Sequence, residues 1–232
     1  MRILANWCPF GLKFYRRSTN PAVKTPAVEL YGVNSLAGSA FNFVKNSKLE
    51  LISFACTTVA ERVKAGETIV VTENFGKIIC HPRTDGVVPV MVTDSSYPDT
   101  VACQLVNLLA GLEAKAEEPS RPGQPPQAQQ PKFFEAHKDS FKQPPRPDDV
   151  KRATDQLQSY LQQYAKPNEV SNLYNIQVKL DETKEILHAT IDKVLQRGEK
   201  IDSLVEKSNT LSMQSKAFYG QAKKQNSCCI VM

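Results

Sequence analysis

The last five residues, Cys228-Cys229-Ile230-Val231-Met232, carry the most specific chemistry in the chain. A cysteine fourth from the end, two aliphatic residues and a terminal methionine form a prenylation box, and terminal Met favours farnesyl. Cys229 is the expected farnesyl site and a prenyltransferase the expected partner. The attachments are therefore covalent lipids, and no dissociable cofactor is called for. One lipid chain anchors only marginally, so stable attachment needs a second signal. Cys228 is placed to provide it, through palmitate or a second prenyl group. A one-lipid form partitions between cytosol and membrane, and the second lipid commits it.

The second feature is a charge inside an apolar stripe. Asn168 reads as an N-cap, and beyond it no Pro occurs and Gly appears only at 198 and 220. Alternating steps of three and four pick out Leu173, Ile176, Leu180, Thr183, Leu187, Thr190, Val194 and Arg197. They continue through Ile201, Leu204, Ser208, Leu211, Ser215, Phe218 and Ala222. Ten of these fifteen positions are apolar, sustained across about seven heptads, which is the pattern of a coiled-coil seam. A long helix with so narrow a stripe cannot bury it alone, and each larger side chain fully buried is worth roughly 1.5–3 kcal/mol. The segment needs partner helices.

Arg197 lies between the Val194 and Ile201 layers, where a charge is costly unless paired and hydrogen-bonded. Two readings stand. Either the register shifts locally and Arg197 is solvated, or partner helices supply polar groups at its layer. A ring of side-chain amides around one guanidinium would satisfy its donors and fix the register. Thr183, Thr190, Ser208 and Ser215 suit a bundle that assembles specifically and also comes apart. After Glu206 no acid remains, while Lys207, Lys216, Lys223 and Lys224 follow. That order either complements a helix C-terminus or attracts an anionic membrane surface.

No catalytic group stands out. The chain has no G-x-x-x-x-G-K-[ST] loop, which excludes a prenylated small GTPase, and no nucleophile–base cluster or metal-spaced Cys/His set. Cys80-His81 falls in an expected strand, where neighbours point to opposite faces. His188 follows a seam position and reads as solvated. The formal net charge is +5, but its bases are scattered and not interleaved with aromatics, so no nucleic-acid partner is expected. No small-molecule substrate is expected either. The apolar runs reach neither a membrane span nor a signal peptide. Cys8, Cys56, Cys80 and Cys103 read as reduced core residues of a cytosolic protein.

The elements that must position these groups divide the 232 residues into segments. Residues 1–115 read as a mixed globular domain with strands at Met1 to Trp7, Ala27 to Val33, Glu67 to Thr72, Lys77 to Cys80 and Val87 to Thr93. One helix runs through Leu49, Ile52, Phe54, Cys56, Val59 and Val63. A second runs through Val101, Leu105, Leu108, Leu109 and Leu112, with Pro98 in its first turn. The order β-β-α-β-β-β-α gives an α+β fold, a five-stranded antiparallel sheet with flanking helices. Residues 116–147 read as a Pro/Gln-rich linker in which Phe133, Phe134 and Phe141 are either incidental or pins against a groove. A short connecting helix at 148–167 precedes the coiled-coil segment at 168–227 and the lipidation motif at 228–232.

Four runs of residues carry a family resemblance. Lys179-Leu180-Asp181-Glu182-Thr183-Lys184 and Val194-Leu195-Gln196-Arg197-Gly198-Glu199-Lys200 resemble the core of an R-SNARE. With Gln214-Ser215-Lys216-Ala217-Phe218-Tyr219 and Lys224-Gln225-Asn226-Ser227-Cys228-Cys229, the resemblance narrows to the prenylated, longin-type branch. It covers about residues 148–232 closely, and the first 115 residues by order of elements. It implies a longin/profilin-like domain followed by a long SNARE helix, and Arg197 as an ionic layer facing three glutamines of Q-SNARE helices. It also implies a farnesyl-type group on Cys229, a second lipid on Cys228, and a closed state in which the longin domain holds the SNARE helix and shields the lipid. Phe41 or Phe43 is then the expected apolar contact for closure. Zippering from Leu173 toward Ala222 would draw a lipid-anchored membrane against its partner. The alternative is a prenylated longin-type adaptor whose helix forms a plain homodimer.

Overall fold

Alternation through Leu12-Lys13-Phe14-Tyr15 sets the two faces of the central sheet. The computed structural model describes residues 9–19, 26–34, 42–112, 133–141, 145–166, 186–196 and 198–227. Strand β1 (Pro9–Arg16) falls where the sequence suggests only a connection. Pro9, Gly11 and the nearby charges mask its period of two. Lys13 is only 4% exposed, and it is tolerated because Nζ donates to Glu29 Oε2 at 2.8 Å and Ser53 Oγ at 2.6 Å. The strand expected at Met1 to Trp7 lies outside the described residues.

The remaining strands are β2 (Val28–Asn34), β3 (Ile69–Glu73), β4 (Gly76–Cys80) and β5 (Val87–Thr93). Five strands run antiparallel in the order β2-β1-β5-β4-β3, as the α+β reading requires. A sixth, β6 (Leu187–Ala189), comes from the C-terminal segment and pairs parallel to β3, with Val70 opposite His188. Among the described residues the sheet therefore has six strands where five are expected, with β6 coming from the segment read as a coiled-coil helix.

One face of the sheet packs on α1 (Asn42–Arg62), which presents Leu51, Ile52, Ala55, Cys56 and Val59 to Ile78, Val88 and Val90. Arg17 donates to the carbonyls of Ala60, at 3.3 Å, and Val63. It thereby satisfies acceptors that the end of α1 leaves open. Burial pushes the Cys56 thiol up to about 12 and raises that of Cys80, as inert core thiols require.

The opposite face packs on α2 (Asp99–Leu109), α3 (Phe133–His137) and α4 (Pro147–Gln163). Pro98 is the N-cap of α2 and so sits just outside its first turn. Helix α4 begins on Pro147, carries Asp148 and Asp149 in its first turn, and buries Ala153, Leu157, Tyr160 and Leu161.

The distal end of the Pro/Gln-rich stretch is part of the core. Phe133 is fully buried, with its ring centroid 5.0 Å from that of Phe14, and Phe134 stacks on Phe141 at 5.2 Å. The Arg83 guanidinium lies 3.6 Å above the Phe134 ring, a cation–π contact. Gly111 makes the approach possible: its φ is +70, and a Cβ there would stand 3.2 Å from Phe134 Cβ. Composition masked this anchoring, because three phenylalanines are a small minority among Pro, Gln and Lys.

The C-terminal segment departs most from its expectation. Among the described residues it is β6, α5 (Ile191–Val194), α6 (Ile201–Lys207) and α7 (Met213–Ser227). A continuous helix is what the seam favours when partner helices flank it. With this chain alone, the apolar side chains bury against α1, and the backbone must break to follow that surface. The breaks fall at Leu195 to Lys200 and Ser208 to Ser212, where Gly198, Ser208, Asn209 and Thr210 lower helix propensity.

Phe133→Ala is expected to lower the free energy of unfolding by about 3–5 kcal/mol in urea titration, since it opens a cavity in the sheet core. A shift near zero would mean that the segment does not share that core.

Candidate functional site

The site is the surface where the C-terminal segment wraps the folded domain. It starts at the β3 edge, where Leu187 N–H donates to the Thr68 carbonyl at 3.1 Å. The chain then turns onto the α1 side. Ile191 N–H, at the start of α5, donates to Glu73 Oε1 at 2.9 Å, while the Ile191 side chain is buried. Asp192 Oδ1 in turn accepts Ile201 N–H at 2.9 Å, tying α5 to α6. Glu50 on α1 receives both Ser212 N–H at 3.0 Å and Ser215 Oγ–H at 2.6 Å. Arg62 Nε donates to Glu199 Oε2 at 3.3 Å across the same interface.

Helices α6 and α7 also hold each other. Tyr219 O–H donates to Asp202 Oδ1 at 2.8 Å, and Lys223 pairs with Asp202 Oδ2. In a continuous helix, residues seventeen apart are separated by roughly 25 Å. The Asp202 contacts therefore belong to the wrapped form alone.

The carboxylates differ in character. Hydrogen bonds from Ser215 and Ser212 hold the Glu50 carboxyl below the usual range. Lys223 and then Tyr219 do the same for Asp202. Glu73 is pushed up, chiefly by burial, against the opposing bond from Ile191 N–H. Between α1 and α6 lies a cavity of about 520 Å³, lined by Ser53, Phe54, Thr57, Leu204, Ser208 and Thr210 among others.

The seam residues divide accordingly. Ile201, Leu211 and Ser215 are buried against the domain, with Ser215 wholly inaccessible. Val194, Leu204 and Phe218 pack on it in part, Ser208 and Ala222 are half-buried, and Leu187 and Thr190 are exposed. Leu173, Ile176, Leu180, Thr183, Arg197, Phe41, Cys228 and Cys229 lie outside the described residues. Phe43 belongs to α1, but its side chain is likewise outside them.

Ile191, Leu195 and Val205, none of them on the seam, are buried as well. The signal for them was present: an Ile and a Leu four apart, and a Val beside Leu204, form a second apolar stripe that a solvated coiled-coil flank would not carry. Glu50, Glu73 and Asp202 carried no such signal, since their partners are set by how the segment wraps. Cys80 ends β4, and His81 follows one residue beyond the strand. Cys80 joins the α1-side core, and His81 Nδ1 meets Thr68 Oγ1 at 2.9 Å. His188 is exposed.

Comparison with known proteins bears on both halves of this surface. A family model described as Synaptobrevin matches residues 172–230, a range that contains the whole seam, Arg197 and both terminal cysteines. Over 220 residues the chain is 37% identical to the synaptobrevin homolog YKT6 of Candida glabrata, which covers 94% of this chain and 96% of that protein. The chain belongs to the synaptobrevin family. The YKT6 homologs of Saccharomyces cerevisiae and Schizosaccharomyces pombe are 36% identical over 209 residues and 34% over 194. They cover 89% and 83% of this chain, and 92% and 87% of their own lengths. As a longin-type R-SNARE, this synaptobrevin acts in vesicle trafficking, takes SNARE helices as bundle partners and is not an enzyme. No helix among its described residues is long and apolar enough to cross a membrane.

The wrapped form of this synaptobrevin should respond to pH in two opposed steps. Because Glu73 is raised in the wrapped form, its charge opposes wrapping, and wrapping gains as pH falls through that raised value. Glu50 and Asp202 are lowered, so their contribution is present above the ordinary carboxylate range and is lost as pH falls through their depressed values. Spin-label distances between positions 46 and 221 should show the wrapped fraction rise and then fall on acidification. Glu73→Gln should remove the rise and leave the fall. A Gln variant with the wild-type profile would rule Glu73 out as the titrating group.

Proposed function

We propose that the wrapped form is the closed state of an R-SNARE that drives intracellular membrane fusion, and that closure withholds the seam from Q-SNARE helices. One observation carries this reading: the side chains of Ile201, Leu211 and Ser215 face the folded domain, so they cannot at the same time form layers of a four-helix bundle. Opening exchanges one burial for another. Each large side chain that changes partner carries roughly 1.5–3 kcal/mol from one surface to the other. The transition can therefore be poised without a large net driving force.

In the open form Arg197 supplies the ionic layer, with its guanidinium donors met by three glutamine side chains of the Q-SNARE helices. Assembly from Leu173 toward Ala222 brings the lipid-bearing end of the chain against the partner membrane. Farnesyl on Cys229, added by a prenyltransferase, gives a reversible anchor, and palmitate or a second prenyl group on Cys228 commits it. Phe41 or Phe43 remains the apolar contact that the family resemblance implies for closure, and the cavity beside Leu204 offers shelter to a lipid chain. The protein then cycles between the cytosol and the cytoplasmic face of Golgi, endosomal or vacuolar-type membranes, in routes that include ER-to-Golgi transport.

Pull-downs from cell extract with the 168–227 segment and with the full chain provide the test. The segment should return Q-SNAREs in larger amount than the full chain, and Arg197→Leu should reduce recovery. A segment that returned only itself would support the homodimeric adaptor instead. Deleting residues 1–115 should move lipidated protein from cytosol to membrane, and an unchanged partition would remove closure from the account. Mass spectrometry of the C-terminal peptide should find farnesyl on Cys229, and Cys229→Ser should leave the protein soluble.

A further inference from the structure

Between α5 and α6 the described residues leave the helical conformation. Leu195 and Lys200 are extended, with ψ of 159 and 143. A turn closes between them, with Glu199 N–H donating to the Gln196 carbonyl at 2.9 Å. The Glu199 carboxylate fixes that turn from outside, accepting Gln196 N–H at 3.3 Å as well as Arg62 Nε. At the centre is Gly198, with φ +91. A Cβ there would meet nothing within 4 Å. Crowding does not call for the glycine; backbone handedness does, because L-residues other than Gly are strained in that region.

On the seam, the same residue lies between the layers of Arg197 and Ile201. A continuous helix through them requires a right-handed φ near −63° at position 198. The two forms of the segment therefore demand opposite signs of φ at one residue. We propose that Gly198 is the hinge of the switch, and that its missing side chain sets the balance between wrapped and helical forms. This inference rests on the closed-state reading above and specifies the residue on which opening turns.

An alanine at 198 acts on both forms in the same direction. It strains the left-handed turn of the wrapped form and raises the helix propensity of the extended one. Together these shift the equilibrium toward opening by about tenfold to a hundredfold. D-alanine does the reverse, since a positive φ is its preferred conformation. Gly220 supplies the control. It lies within α7, which is helical in the wrapped form and on the seam alike, so Gly220→Ala strengthens a helix common to both forms.

Hydrogen exchange of the full chain at fixed pH, with no partner helix present, tests the hinge. The reporters are the amides of Leu187, Ile191 and Ser212, whose acceptors Thr68, Glu73 and Glu50 all lie in the folded domain. Amides of the β3–β4 ladder report on the fold of the domain itself. Gly198→Ala should accelerate the reporters about tenfold to a hundredfold and leave the ladder unchanged. The D-alanine form, made by joining a synthetic C-terminal peptide to the expressed remainder, should exchange at or below the wild-type rate. Gly220→Ala should leave the reporters at the wild-type rate.

Wild-type exchange in Gly198→Ala would overturn the hinge. Equal acceleration by L- and D-alanine would also overturn it, since handedness would then be irrelevant. Recovery of Q-SNAREs by the 168–227 segment is a separate readout, so failure of the hinge and failure of the SNARE reading can be told apart.

Discussion

An apolar stripe that one helix cannot bury governs this molecule. The seam from Leu173 to Ala222 has no stable fate in water by itself, and every arrangement of the C-terminal segment is a way of covering it. In the absence of partner helices the folded domain covers Ile201, Leu211 and Ser215 of that stripe. Ile201 and Leu211, together with the off-seam Ile191, Leu195 and Val205, extend the core that α1 shares with the sheet. The broken course of the segment follows from this constraint. A straight helix can present a stripe to other helices, but it cannot follow a curved surface from the β3 edge across α1.

The polar contacts give the apolar cover its register. Glu73 meets the start of α5, Glu50 the start of α7, and Arg62 the turn between α5 and α6. Each bonds a backbone amide or a side chain that is differently placed in a continuous helix. The sheet divides the labour of the domain. The α1 face carries the contacts that must come apart, while the face bearing α2, α3 and α4 is closed by aromatic packing around Phe14. A surface that releases its cover needs a second, permanent core behind it, and the Phe14, Phe133 and Phe141 cluster belongs to that core.

Much of this was legible in the residues. The strand at Val87 to Thr93, the helix through Leu49 to Val63 and the α+β order follow from spacing and turn residues, because those segments bury regular faces. The seam was legible for the same reason. What the sequence hid depended on tertiary pairing. Strand β1 carries a buried lysine that only Glu29 and Ser53 make acceptable, so its pattern looks polar. Phe133 and Phe134 lie at the end of a composition that elsewhere cannot form a core. The wrapping of the segment was least legible, because one sequence encodes two solutions to its own apolar stripe. Periodicity reports the solution with longer-range order, and only the second stripe at Ile191, Leu195 and Val205 hinted at the other.

The contacts that Phe134 makes with Arg83 and Gly111 have a consequence for the evolution of chain length. These contacts hold the two ends of the twenty residues 113–132 close together. For a loop whose ends are fixed, the entropic cost of closure grows only logarithmically, by about 0.6 kcal/mol for each doubling of length. The anchors at Gly111 and Phe134, and not the number of residues that joins them, therefore fix this corner of the domain. In this protein, length can vary between Leu112 and Phe133 almost independently of the conformational balance at the C-terminus.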